Sequence, residues 1–244
     1  MVNSVRTNPS SPVKSLIAEI KNRYGYSVTY RKALIAKQKA LVMEFGNWED
    51  SYNYLPIWFQ ALQQSLPGTI VQYVTRSVVV DALEDNSYHI LERVFWAFKP
   101  CTYRFSYCKP IVQVDGTFLT GKYHATLLTA ISQDGNRNIF PLAFAIVEGE
   151  TKEPMIWFFQ LLRALVTPQP NVCLITDRGS AILSALESPE VGWESQSMFC
   201  ICHIASNFNM CSDLIKLSLN QTKTRIHVSS LQKKINWLII KIVY

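Results

Sequence analysis

The sequence predicts an α/β fold, a mixed sheet flanked by helices and preceded by a small helical module. Two observations predict it. Three apolar, β-prone runs, at residues 111–114, 125–131 and 139–147, follow one another with only Gly- and Asp-containing turns between them, and so read as antiparallel neighbours. After them, helical and strand patterns alternate, which favours parallel strands.

In chain order, residues 1–12 read as a disordered lead-in. Val13, Leu16, Ile17 and Ile20 fall at i, i+3, i+4 and i+7 and predict an amphipathic helix ending near Tyr24-Gly25. Ser27 is the expected cap of a second helix reaching Phe45, with Leu34, Leu41, Val42 and Phe45 inward and Arg31, Lys32, Lys37 and Lys39 outward. Two helices around a Gly-containing turn, the second one basic, make a helix-turn-helix-like pattern. Any small helical hairpin reads this way, so DNA contact and plain packing both stay open. A third helix over 51–65 puts Leu55, Trp58, Phe59, Leu62 and Leu66 on one stripe, and Pro67-Gly68 stops it.

A β-branched segment (69–80), an acidic turn (81–86) and a helix (90–98) are expected to connect this module to the sheet. Beyond the three β runs come a helix over 153–166 with Phe158, Leu161, Leu162 and Leu165 inward, a strand at 172–176, a helix at 180–187, a strand at 197–201 and a helix from Ile204. The order β-β-β-α-β-α-β-α is that of the ribonuclease-H-like arrangement, although other α/β folds share such runs. The expected organisation is a lead-in (1–12), a basic helical module (13–68), a connecting segment (69–108), the sheet domain (109–209) and a basic tail (210–244).

The formal net charge of +6 is unevenly spread. Residues 1–41 carry eight Lys/Arg against one acid, and residues 210–244 carry six against one; between them residues 42–98 are acidic, two against seven, and residues 99–209 nearly neutral, eight against nine. A basic end can meet a phosphate backbone, and it can equally be a solvated helix face. The amino terminus lacks the apolar core of a signal peptide, and the apolar stretch at 237–244 is too short to span a bilayer, so no membrane association is expected. The six cysteines are expected to remain thiols or to bind metal.

Asp115 sits where an apolar strand is expected to end and Gly116-Thr117 to begin a turn; Asp177 directly follows the apolar strand at 172–176. Carboxylates at the ends of neighbouring strands can converge, and Mg²⁺ takes hard oxygen ligands suited to in-line attack on a phosphodiester. The competing reading is local turn and cap chemistry, for which Asp is common. Glu150 lies near an expected strand end and can be read as a third ligand, but it falls between the two aspartates in sequence, and a surface turn residue is the better reading.

The strings RVFWAFKP, KPIVQVDGTFLTGKYHATLLTAISQDGNRNIFPLAFAIVEGET, LITDRG and CICHIASNFN, in this order over about residues 90–209, resemble successive signatures of the Mutator-like element (MULE) transposases of plants. Segments KSLIAEIKNRYGYSVTYRKALIAKQKAL and SYNYLPIWFQALQQSLPGT resemble the region preceding that domain. The resemblance implies a DDE-type transposase in the nucleus, cutting and joining double-stranded DNA at the terminal inverted repeats of an element, with Mg²⁺ or Mn²⁺ as cofactor and self-association possible. Asp115 and Asp177 match the first two acids of the triad, catalytic and metal-binding, and Cys200 and His203 match the family's CxxH motif.

Cys200 and His203 supply half of a tetrahedral zinc site at most; Cys202, Cys211 or His227 would have to complete it, and no second pair has ligand spacing, so zinc is not expected from this chain alone. The third acid of the triad should follow CxxH after a helical insertion, yet Asp213 is the sole acid beyond His203. Met155 stands where the family usually has Trp, and from about Met210 the resemblance fades. The expectation is a truncated, catalytically defective transposase; the alternative is a non-catalytic, transposase-derived DNA-binding or transcription-regulatory protein whose active part is the basic hairpin.

Overall fold

The structure, a computed structural model, describes residues 2–9, 11–80, 83–119, 123–193, 197–201, 203 and 204. The basic tail expected at 210–244 lies outside the described residues, as do Cys202, Cys211, Asp213 and His227. The described residues form two compact units, one up to residue 58 and the other from residue 59.

The first unit is helical. Where a disordered lead-in is expected, α1 (Val2–Thr7) forms instead, because Val5 is fully buried against Leu16 and Ala40. Helix α2 (Val13–Tyr24) ends as expected at Gly25, whose φ of 76° is the left-handed conformation glycine adopts without strain. Helix α3 (Tyr30–Phe45) is capped by Thr29 rather than Ser27; the Thr29 hydroxyl accepts the Lys32 N–H at 3.4 Å. Its buried positions are Ala33 and Ala40, with Leu41 packed alongside, while Val42 is exposed. Small residues let neighbouring helices approach, so the inward stripe lies on alanines rather than on the larger apolar side chains.

Helix α4 (Trp48–Ser65) crosses the boundary between the units. Phe59 in its second half is buried and rests edge-on to Tyr73 and tilted against Trp96. The last turns of α4 thus fall in the second unit.

The second unit holds a seven-stranded mixed sheet in the order β1-β2-β5-β4-β3-β6-β7. Strands β1 (Ile70–Val80) and β2 (Leu83–Ala97) form an antiparallel pair, and β2 pairs in turn with β5 (Ile139–Val147). The segment expected as a connector thus adds two strands, and the helix expected at 90–98 is strand. Val94, Phe95, Trp96 and Ala97 are all buried in succession, which a helix with one inward stripe cannot do and a strand covered on both faces can. Helix α5 (Lys99–Phe105) begins only after that run.

Strands β3 (Ile111–Leu119), β4 (Ala125–Gln133) and β5 form an antiparallel meander; β6 (Cys173–Thr176) joins β3 in parallel and β7 (Ser197–Phe199) joins β6 in parallel. Helices α6 (Lys152–Leu161) and α7 (Ser180–Leu186) complete the alternation. The inward face of α6 carries Met155, Phe158, Phe159 and Leu162 and continues to Val166. Leu165, expected inward, is exposed, because the last turn is wide: the Thr167 N–H bonds the Leu162 carbonyl five residues back at 2.9 Å, which brings Val166 inward. Pro154 lies in the first turn of α6, where a missing N–H costs no hydrogen bond. Among the described residues no helix is long and apolar enough to cross a membrane.

Candidate active site

Strand β3 does not stop at Val114. It runs through Asp115, Gly116 and Thr117, because β4 offers each a partner: Asp115 opposes Thr129 and Gly116 opposes Leu128. The turn expected at Gly116-Thr117 is therefore strand, and Asp115 is a mid-strand residue. On the other edge of β3 the pairing is short, with Gln113 beside Ile175 as its last step, and β6 ends at Thr176. Carrying that parallel register two residues further sets Asp115 level with Asp177, on the same face of the pair.

Each aspartate is oriented by its own backbone. Asp115 Oδ1 accepts the Gly116 N–H at 3.0 Å, and Asp177 Oδ1 accepts the Gly179 N–H at 3.0 Å. Burial pushes the Asp115 carboxyl above the ordinary aspartate range; His203 and the Gly116 N–H pull it down, and the nearby Asp177 charge pushes it up again.

The CxxH motif also converges on β3. Cys200 follows β7, takes the Thr176 carbonyl with its N–H at 2.7 Å, and opens a helical turn in which the Ile204 N–H returns to the Cys200 carbonyl at 3.1 Å. Three residues apart in that turn, Cys200 and His203 share a face. Cys200 is buried, with the Gln113 amide 4.0 Å from its sulfur, and His203 Nε2 lies 3.9 Å from Asp115 Oδ1. Gln113 and Asp115 are two positions apart on one face of β3, so the motif lies along the strand that bears the first aspartate. His203 Nδ1 is buried without a hydrogen-bond partner among the described residues.

Glu150 occupies a turn, as expected, but is not fully exposed there. It is half-buried in the turn between β5 and α6, and a β-carbon on Gly116 would stand 2.5 Å from its Oε1. Burial, Asp177 and Asp115, in that order, push its carboxyl above the ordinary glutamate range. The signal available in the sequence was Gly116 itself, since an isolated glycine inside a strand pattern marks a close approach. The turn is tied down on both sides: Arg93 of β2 bonds Glu148 at 2.6 Å and Glu153 at 3.2 Å.

The expected DNA-contacting residues lie in the helical unit. Arg31, Lys32 and Lys39 are exposed, whereas Lys37 is half-buried and donates to the Ser11 carbonyl at 2.8 Å.

Residues 111–207 match the family model of the MULE transposase domain. The chain carries a MULE transposase domain. No curated protein matches the sequence. The matched segment starts with β3 and contains Asp115, Glu150, Asp177, Cys200 and His203; β1, β2 and the helical unit precede it.

Transposase domains generally use divalent metals. Asp115 in β3 and Asp177 directly after the adjacent β6 offer hard oxygen donors, and Mg²⁺ is commonly held by one or two carboxylates together with waters and substrate phosphates. The pair fits such an ion in donor chemistry. Among the described residues no group of three or more His, Cys, Asp or Glu side chains is already arranged to hold a metal.

Proposed function

We propose that this MULE domain is built for metal-dependent cleavage and joining of DNA strands, with Asp115 and Asp177 as the residues that hold Mg²⁺ or Mn²⁺. The observation that carries this reading is the parallel register of β3 and β6, whose last pair, Gln113 beside Ile175, stands two residues short of each aspartate. A divalent ion there supplies Lewis acidity toward a phosphodiester and neutralises developing charge. The chain's own residues orient the carboxylates through the Gly116 and Gly179 amides and place His203 beside Asp115.

The order β5-β4-β3-β6-β7, three antiparallel strands followed by two parallel additions next to the first of them, supports a ribonuclease-H-like assignment. On this reading the partner is double-stranded DNA at the ends of an element, and the site of action is the nucleus. Arg31, Lys32 and Lys39 are exposed cations suited to a phosphate backbone.

The test is Mn²⁺ binding by the purified chain, followed by strand transfer on duplex DNA bearing terminal repeats. Measurable Mn²⁺ affinity that Asp115→Asn or Asp177→Asn removes supports the reading; an affinity insensitive to both substitutions overturns it.

A further inference from the structure

We infer that the turn between α2 and α3 is a contact site for unpaired nucleotides, in which Tyr24, Tyr26 and Tyr30 receive bases and Arg23, Arg31 and Lys32 receive phosphates. The choice of DNA as partner rests on the function proposed above, since a protein that cuts and joins strands meets unpaired nucleotides at the ends it makes.

The turn sets its aromatic rings in solvent. Tyr24 is the last residue of α2, Tyr30 is the first of α3, and Tyr26 stands in the loop between them. Left-handed Gly25 turns the chain sharply at this point. The Tyr24 and Tyr26 rings are 6.3 Å apart, centroid to centroid. Tyrosine commonly buries its ring and leaves only its hydroxyl wet, yet these three residues are 58%, 58% and 55% exposed. Every residue from 21 to 32 is exposed except Val28, which is partly buried. The core of this unit is made elsewhere, by Val5, Leu16 and Ala40. Three large rings on one exposed turn mark an interaction surface, whereas single surface hydrophobes need no explanation.

The charge around the rings selects the partner. Between Glu19 and Glu44 the sequence has six Lys or Arg and no acid. The Arg23 guanidinium lies over the Tyr24 ring, 5.6 Å from its centroid, so a cation accompanies the ring. Among the described residues none of Arg23, Arg31 and Lys32 joins an ion pair. Free cations beside open rings match a polyanion that presents flat apolar faces. In a duplex those faces are covered by neighbouring base pairs, which leaves tyrosine the sugar and phosphate. In an unpaired strand the faces are open, and any base stacks on an aromatic side chain. Arg31 and Lys32 would serve either form of DNA, so it is the tyrosines that favour the unpaired one.

The experiment is fluorescence anisotropy of the full chain, in chelator, with a labelled oligothymidylate and with a labelled duplex of the same length. Circular dichroism confirms the fold of each variant. Tyr24→Ala, Tyr26→Ala and Tyr30→Ala are each expected to weaken single-strand binding about 5- to 100-fold and to leave duplex binding nearly unchanged. Replacing all three tyrosines with Phe keeps the rings and is expected to preserve binding; a loss as large as that of the Ala variants would assign the contact to the hydroxyls and overturn the stacking. Replacing Arg23, Arg31 and Lys32 together with Ala should flatten the dependence of log affinity on log salt by about 2, near 0.7 for each phosphate on a single strand, and an unmoved slope counts against the inference. Single-strand binding that withstands all three Tyr→Ala changes overturns it, as does a chain that takes phosphatidylserine vesicles but no oligonucleotide. The Mn²⁺ titration of Asp115→Asn keeps the two readings apart. If Mn²⁺ affinity ignores that substitution while Tyr→Ala still weakens single-strand binding, the aspartate reading fails and the turn stands. If Asp115→Asn removes Mn²⁺ affinity and Tyr→Ala changes nothing, the turn fails and the aspartates stand.

Discussion

Arg93 on β2 donates from Nε and Nη2 to the carboxylate of Glu148 beyond β5 at 2.6 to 2.9 Å, and the two partners are unequally buried, their side chains 9% and 45% exposed. The inequality makes the two halves of the pair unequal in cost. Deleting Arg93 leaves Glu148 free to rehydrate, whereas deleting Glu148 strands a buried guanidinium whose one other bond in this cluster is to exposed Glu153.

Glu148→Ala is therefore expected to destabilise the protein by about 2 kcal/mol, below the range for breaking a fully buried pair because Glu153 remains. Arg93→Met, which keeps most of the packing, is expected to cost about 1 kcal/mol. Urea unfolding of both variants decides the matter, and a larger loss for Arg93→Met would contradict the burial argument.

Asp115 is costly to keep charged. Its carboxyl is raised mainly by burial, and the neighbouring Asp177 adds to this. Replacing it with the uncharged isostere should stabilise the cation-free protein at neutral pH. Asp115→Asn is expected to raise Tm, a gain on the order of 1 kcal/mol, of the kind seen when a strained functional group is neutralised. Differential scanning calorimetry in chelator reads this directly; an unchanged or lowered Tm would mean that the site carries no such cost.

The hairpin between β4 and β5 gives a pH dependence of the opposite kind. Asp134 accepts the Asn138 N–H at 2.7 Å and its side-chain amide at 2.9 Å, and these bonds hold the carboxyl below the ordinary range. A depressed folded value means that the native state prefers the charged form. The stabilisation is present above the unfolded pKa, about 3.9, and is lost as pH falls through the lower folded value. The Asn138 amide resonance is expected to hold its shift down to about pH 4 and to move only below it. In Asn138→Ala the Asp134 titration should shift upward toward the ordinary aspartate value; a titration unmoved by the substitution would remove the side-chain amide as its cause.

The meander at residues 111–147 was legible because each run is apolar and β-prone and its boundaries carry Gly and Asp. Strand β2 was not. Ile90, Leu91, Val94 and Phe95 also fit a helical stripe, and what decides against helix is the pairing of Val94, Phe95 and Trp96 with β5, far along the chain. Local pattern cannot express such a pairing. Val5 shows the same limit at smaller scale, since one apolar residue in a polar lead-in gives no periodicity, yet burial against Leu16 and Ala40 accompanies a helix.

At the candidate site, the place of Asp115 and Asp177 after apolar runs was readable, but not that β3 continues past Asp115 or that β6 lies beside β3. The contact of Glu150 with Gly116 was not readable in that way. The sequence neighbours of Glu150 describe an acidic turn, and the Gly116 that it lies against is on another strand. The CxxH spacing predicted a shared helical face, but not that the face would lie along Gln113 and Asp115.

Burial also separates the four cations of α3. Lys37 spends its ammonium on the Ser11 carbonyl, and burial pushes its pKa down, whereas Arg31, Lys32 and Lys39 are exposed. If the helical unit meets duplex DNA, the three exposed residues are the ones able to displace counterions. Replacing all three with Ala is expected to flatten the dependence of log affinity on log salt by about 2 to 3, near 0.9 for each phosphate that is no longer neutralised. Lys37→Ala should leave that slope unchanged and instead lower the stability of the helical unit by about 1 kcal/mol. Fluorescence anisotropy with a labelled duplex across a salt series, paired with thermal unfolding, separates the two outcomes. A slope that falls for Lys37→Ala as much as for an exposed residue would show that its bond to Ser11 gives way when DNA binds.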